Sequence, residues 1–141
     1  MIRMLLPVDD SAGSSQAVEA LLHRLDWYRE KPELHLLNVQ IPLRGDIADF
    51  LKAELIEQYH RDEAAKAIQP ARRFLEAAGF MPKVHVLVGH AADAIVHFAE
   101  EQACDLIVMG SRGHGSLGGW FLGSTVTRVL HQSTVPVLIL R

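Results

Sequence analysis

Residues 105–125 read DLIVMGSRGHGSLGGWFLGST, and this stretch decides the fold. Asp105-Leu106-Ile107-Val108-Met109 is a nearly continuous apolar run of strand length, as in sheets covered on both faces. Gly123-Ser124-Thr125 opens a helical run that continues to Gln132. Between the two, six of the ten glycines fall at residues 110 to 123. A strand, a glycine-rich turn and a helix in that order are part of a βαβ unit. Open α/β sheets bind ligands at such turns, outside the carboxyl ends of their strands.

The same alternation extends in both directions. Residues 2–8 are an apolar run closed by Pro7-Val8-Asp9, and Ser11 is placed to cap a helix whose apolar face is Ala17, Val18, Leu21, Leu22 and Leu25. Residues 33–40 (ELHLLNVQ) predict a second strand. Helical spacing covers 46–78, with Phe50, Leu51, Leu55, Tyr59, Ala67, Phe74 and Leu75 inward; Pro70 should kink or split it for want of an N–H, and Gly79 ends it. Strand three is 83–88. A helix over 92–102 buries Ile95, Val96, Phe98 and Ala99, strand four is 105–109, helix four is 124–132, and strand five is 135–140. Four strand-helix repeats and a last strand predict one α/β domain over residues 1–141: a doubly wound five-stranded parallel sheet with helices on both faces.

A net charge of −3 argues against a general nucleic-acid binder, which needs a basic face. No apolar run approaches the ~18 residues of a membrane span, and the N-terminus is too short and too acidic to read as a signal peptide. Cys104 is the only cysteine, so no disulfide within the chain is expected and a cytoplasmic location fits best; its apolar neighbours predict an inert buried thiol. From residue 105 onward the one acid is Asp105, against Arg112, Arg128 and Arg141 with His114 and His131, a balance suited to a small anion.

The loop's chemistry follows from its residues. Gly110 and Gly113 let the backbone turn sharply and come close to an anion. Gly123-Ser124-Thr125 begins a helix whose first N–H groups and dipole favour negative charge, with two hydroxyls to add a phosphate or metal contact. There is no Gly-Lys-Ser/Thr and no G-x-G-x-x-G, so neither common phosphate-binding signature is present, and by composition alone a flexible surface loop is an equal alternative.

The spacing Gly110-x2-Gly113-x9-Gly123-Ser124 resembles the G-2x-G-9x-G-(S/T) motif of the ATP-binding universal stress proteins. Pro7-Val8-Asp9, the serines from Ser11 to Ser15, the run from Asp105 to Gly110 and the closing VPVLIL agree with that family in the same order, over essentially the full length. The resemblance implies a Rossmann-like fold of the adenine nucleotide alpha hydrolase kind with strand order 3-2-1-4-5, which sets strands one and four side by side. It implies ATP, or AMP or ADP, with magnesium accompanying the phosphates. Asp9 would take the ribose, the Val39 backbone the adenine edge, and Gly110 would lie near the ribose. Gly113, Gly123, Ser124 and Thr125 would hold the phosphates, and Pro7, Met109, Arg112 and His114 complete the nucleotide-binding set. Relatives dimerise, so a homodimer through the last strand is implied, and a nucleotide-responsive regulator of stress tolerance with an unknown protein partner.

The chain departs from the family pattern in three places. Asn38 stands where many relatives have histidine, Ala91 where a proline is common, and the loop insert carries Gly118, Gly119, Trp120 and Phe121 but no lysine. Asp9 also has a structural alternative, a carboxylate at a helix start; Asp10 is read as structural only. His35 and His85 fall on neighbouring strands, but the eight histidines match no zinc spacing. No Gly-x-Ser-x-Gly elbow or serine-histidine-acid arrangement is present, so catalysis is limited at most to weak ATP hydrolysis. The alternative class is a nucleotide-independent interaction module.

Overall fold

The computed structural model describes residues 1–111 and 122–141. Its strands are β1 (Arg3–Pro7), β2 (Glu33–Gln40), β3 (Lys83–Val88), β4 (Leu106–Gly110) and β5 (Val137–Leu140); its α-helices are α1 (Ala12–Leu22), α2 (Gly45–Ala48), α3 (Ala53–Ala77), α4 (Ala91–Glu101) and α5 (Ser124–Gln132). The five strands are parallel in the order β3-β2-β1-β4-β5, as the family resemblance implies. Parallel strands need crossovers, and the helices cover both faces. On one face α1 and α3 close over Met4, Leu6, Leu34, Leu36 and Val108. On the other α4 and α5 close over Leu5, Leu37, Ile107 and Met109. Successive residues of a strand alternate between these two cores, which is why each strand reads as continuously apolar.

Ser11 caps α1 as expected, its Oγ accepting from the Ser14 N–H at 3.3 Å. β2, β3 and α5 have the predicted limits. β5 starts at Val137 rather than Val135, because Ser133 takes both polar groups of Val135 in a local turn and Pro136 has no N–H to give a ladder. Cys104 is buried, and burial pushes its thiol up.

The long helical region differs most from expectation. The break falls at residues 49–52, between α2 and α3, and α3 runs unbroken through Pro70. Pro70 faces solvent, so the carbonyl one turn back that loses its N–H partner is on the side water can reach. Of the seven residues expected inward, only Ala67 and Leu75 are buried. Phe50 is 89% exposed, and Leu51, Leu55, Tyr59 and Phe74 are also exposed. The buried stripe is instead His60, Ala64, Ala67, Ile68, Ala71 and Leu75, at helical spacing. Three of its six residues are alanine, and the large side chains Leu55, Tyr59 and Phe74 lie on the exposed faces. Since proline in an exposed helix interior costs up to about 3 kcal/mol relative to alanine, Pro70→Ala should stabilise the protein by up to that amount, read as a raised denaturant midpoint at unchanged slope.

Candidate functional site

The strand order reverses between β1 and β4. These two strands pair only at Met4↔Leu106 and Leu5↔Ile107, whereas β1 and β2 pair over five positions. Alternation along β1 explains the early stop. Ile2 and Val8 bond to β2, through Ile2 O with Glu33 N and Val8 N with Leu37 O, while Arg3 O accepts from Asp105 N beside β4. Odd positions therefore face β4, and the third of them is Pro7, which has no N–H. The ladder ends there and the strands part, opening a cavity of about 480 Å³ at their carboxyl ends. That volume suits a small organic ligand.

The cavity brings together residues far apart in sequence. Pro7 and Asp9 come from the end of β1, Val39 from β2, Met109 and Gly110 from β4, and Gly123, Ser124 and Thr125 from the start of α5. These are eight of the expected nucleotide-binding residues; Arg112, Gly113 and His114, like Gly118, Gly119, Trp120 and Phe121, lie outside the described residues. The two ends of the glycine motif meet: Gly123 N donates to Ser111 O at 2.9 Å, and Ser111 N donates to Leu140 O at 3.1 Å.

Two site residues also have work in the fold. Asp9 Oδ1 accepts from the Ser11 N–H at 2.9 Å and from the Ser11 hydroxyl, while Asp9 N donates to Ser14 Oγ at 3.0 Å. The structural alternative for Asp9 is thus realised, and the residue also lines the cavity. Gly110 packs against α1, where a β-carbon would stand 2.8 Å from the Gly13 carbonyl oxygen.

Several lining residues were not singled out from sequence. Asn38 is buried and donates from Nδ2 to Val8 O at 2.8 Å, fixing the turn that carries Asp9; Gln40 Nε2 donates to Asn38 Oδ1 at 2.6 Å, and Gln40 Oε1 faces His60 Nδ1 at 3.4 Å. Tyr59 and Glu63 reach the cavity from α3, and Ile95 and Val126 give it an apolar wall. Only the departure at Asn38 carried a sequence signal. Among the described lining residues the charged groups are Asp9, Asp10 and Glu63, with no lysine, arginine or histidine. A phosphate on this side would be met by the first N–H groups of α5, which no side chain of the described residues caps, and by that helix's dipole.

Comparison with known proteins agrees with this fold. The sequence profile described as "Usp: Universal stress protein family" matches residues 1–141. Over 79 residues, 56% of this chain, the sequence is 42% identical to universal stress protein Slr1230 of Synechocystis and covers 28% of that protein's length. It is 35% identical over 127 residues to universal stress protein MJ0577 of Methanocaldococcus jannaschii, 86% of this chain and 75% of that one. The solved structure of MJ0577 superposes with a TM-score of 0.82 at 28% identity, covering 99% of this chain and 94% of the other. A universal stress protein solved in complex with cAMP superposes at 0.71 with 26% identity, covering 99% and 97%.

Since the Gly13 carbonyl is backbone and can yield only by moving α1, Gly110→Ala should destabilise the fold by about 1–3 kcal/mol. Equilibrium urea unfolding checks this, and a change within error of zero would show that α1 gives way freely.

Proposed function

The chain belongs to the universal stress protein family, and we propose that its cavity binds an adenine nucleotide, ATP or the shorter ADP and AMP, as a signal controlling the protein's contacts. One observation carries this reading: Pro7, Asp9, Gly110 and the start of α5 converge on one cavity where the strand order reverses. The purine sits against Pro7, Met109 and the apolar wall, its edge on the Val39 backbone. Ser11 holds one oxygen of Asp9, and the other meets a ribose hydroxyl. Gly123, Ser124 and Thr125 take the phosphates with Gly113, Arg112 and His114 from the loop. With three carboxylates on the described walls, magnesium fits as the cation that offsets a triphosphate's charge. The relative solved with cAMP supports an adenine ligand in this fold.

The protein acts in the cytoplasm as a regulator of stress tolerance, and hydrolysis of bound ATP is at most slow. A two-fold dimer forms through β5, an apolar strand at the sheet edge, because pairing would cover its open side. Sedimentation at micromolar concentration should give twice the chain mass; a monomer there would remove the dimer from this reading. A nucleotide-independent interaction module is the second reading, favoured by strongly exposed Phe50 and Met81.

Thermal unfolding with nucleotide separates the two. At a hundred times the dissociation constant, MgATP or AMP should stabilise the native state by about 2.7 kcal/mol, and Gly113→Val should lose most of this gain. If saturating nucleotide leaves Tm unchanged and Gly113→Val matches wild type, the interaction module takes its place.

A further inference from the structure

On the α4 face, three side chains from β2 and β3 form a line. The Glu33 carboxylate stands 2.6 Å from His35 Nε2, and His35 Nδ1 stands 2.9 Å from His85 Nε2. Register creates the contact: His35 is opposite Lys83 and His85 opposite Leu37, so the two rings are diagonal neighbours on one face. The rings are nearly coplanar, at 9°, and His85 rests against Phe98 of α4 with centroids 4.7 Å apart. His35 is buried and His85 half-buried.

The surrounding charges are few. Arg3 Nε of β1 and Lys83 Nζ of β3 reach the same Glu33 oxygen, at 2.9 and 3.3 Å. The His35 hydrogen bond, followed by those of Arg3 and Lys83, holds the Glu33 carboxyl down at about 2 against its desolvation, so it is ionised throughout the neutral and mildly acid range. From α4, Ile95, Phe98 and Ala99 are buried in this core, while Asp93, His97, Glu100 and Glu101 are exposed. Ahead of β4, Cys104 is a buried thiol raised by desolvation, and Asp105 Oδ2 accepts from Arg3 N at 2.8 Å. Of the side chains named, imidazole is the type whose ordinary titration falls between pH 5 and 8, and besides the facing pair the exposed His97 carries one.

The number of protons on the two rings decides whether the contact holds. The Glu33 carboxylate can only accept, so His35 carries a hydrogen on Nε2. A neutral His35 then offers Nδ1 as an acceptor to His85 Nε2–H. With one added proton the two facing nitrogens still share a single hydrogen, so the bond survives. A second proton sets N–H against N–H in two cationic rings beside Arg3 and Lys83, and no hydrogen bond between the rings survives.

We propose that His35 and His85 form an acid-sensitive latch, holding the edge strand β3 and helix α4 to the sheet and releasing them when both rings are protonated. Burial, with His35 and Lys83 nearby, lowers His85 from its ordinary 6.5. The unfolded chain therefore takes this proton first, so the latch's stability is fully present above about pH 6.5 and is lost as pH falls from there toward the lower folded value.

Hydrogen exchange of the full chain between pH 8 and pH 5, corrected for intrinsic exchange rates, tests the latch. Opening of β3 and α4 should rise about tenfold toward pH 5, the factor expected when release takes up one proton over a tenfold rise in acidity, while β1 and β4 stay constant. His85→Gln keeps a donor for His35 but takes no proton, and should lose the dependence. His85→Leu, packing on Phe98, is the second variant with the same expectation should the first not fold. His97→Gln, an exposed ring outside the pair, should behave as wild type. Wild-type dependence in both His85 variants, or opening spread evenly over the sheet, overturns the latch.

Discussion

A missing N–H organises this molecule. In a parallel sheet each residue sends both its backbone polar groups to one neighbour, and Pro7 stands at the position in β1 that should serve β4. Its ring nitrogen has nothing to donate, so the two central strands separate after Leu5 and Ile107. The separation costs little because Pro7 is near the end of the strand. The cavity therefore follows from one imino acid placed in phase with the ladder where the winding reverses.

Around that opening, the surfaces that could bind a ligand are held by contacts made for folding. Asn38 ties the Val8 carbonyl, Ser11 and Ser14 tie Asp9, and Gly110 allows α1 to lie against β4. The groups nearest the opening are thus set before any ligand arrives, which reduces the ordering cost of binding. The opposite reaches of the sheet have another character. There Glu33 gathers Arg3, Lys83 and His35 into one ionic knot, so the sheet's two ends differ in character: an open cavity at one, a cluster of paired charges at the other.

How far the sequence could be read depended on whether each signal was local. β2, β3 and α5 were bounded correctly because turn residues and caps sit beside them in the chain. The motif's fixed gaps similarly announced that Gly110 and Gly123 belong together, and the register delivered them to one cavity. α3 misled because half of its inner stripe is alanine, which carries weak hydropathy, while Leu55, Tyr59 and Phe74 carry strong hydropathy and are exposed. The choice between them is made by which face packs on the sheet core, a tertiary matter absent from any window of sequence. Glu63, Gln40 and His60 escaped notice for the same reason, since only packing brings α3 to the end of β2.

The bond between Gly123 N and Ser111 O has a consequence for how such a protein can change over generations. The chain leaves the sheet at Ser111 and returns at Gly123 to the same point, and the bond that joins the two ends is made by backbone atoms. Lengthening a closed loop is cheap, about 0.6 kcal/mol for each doubling. Because that bond uses backbone atoms only, a segment of different length and chemistry could join Ser111 to Gly123 and leave the bond itself in place. The fold works as a socket: the frame stays constant while the inserted segment is free to acquire new specificities.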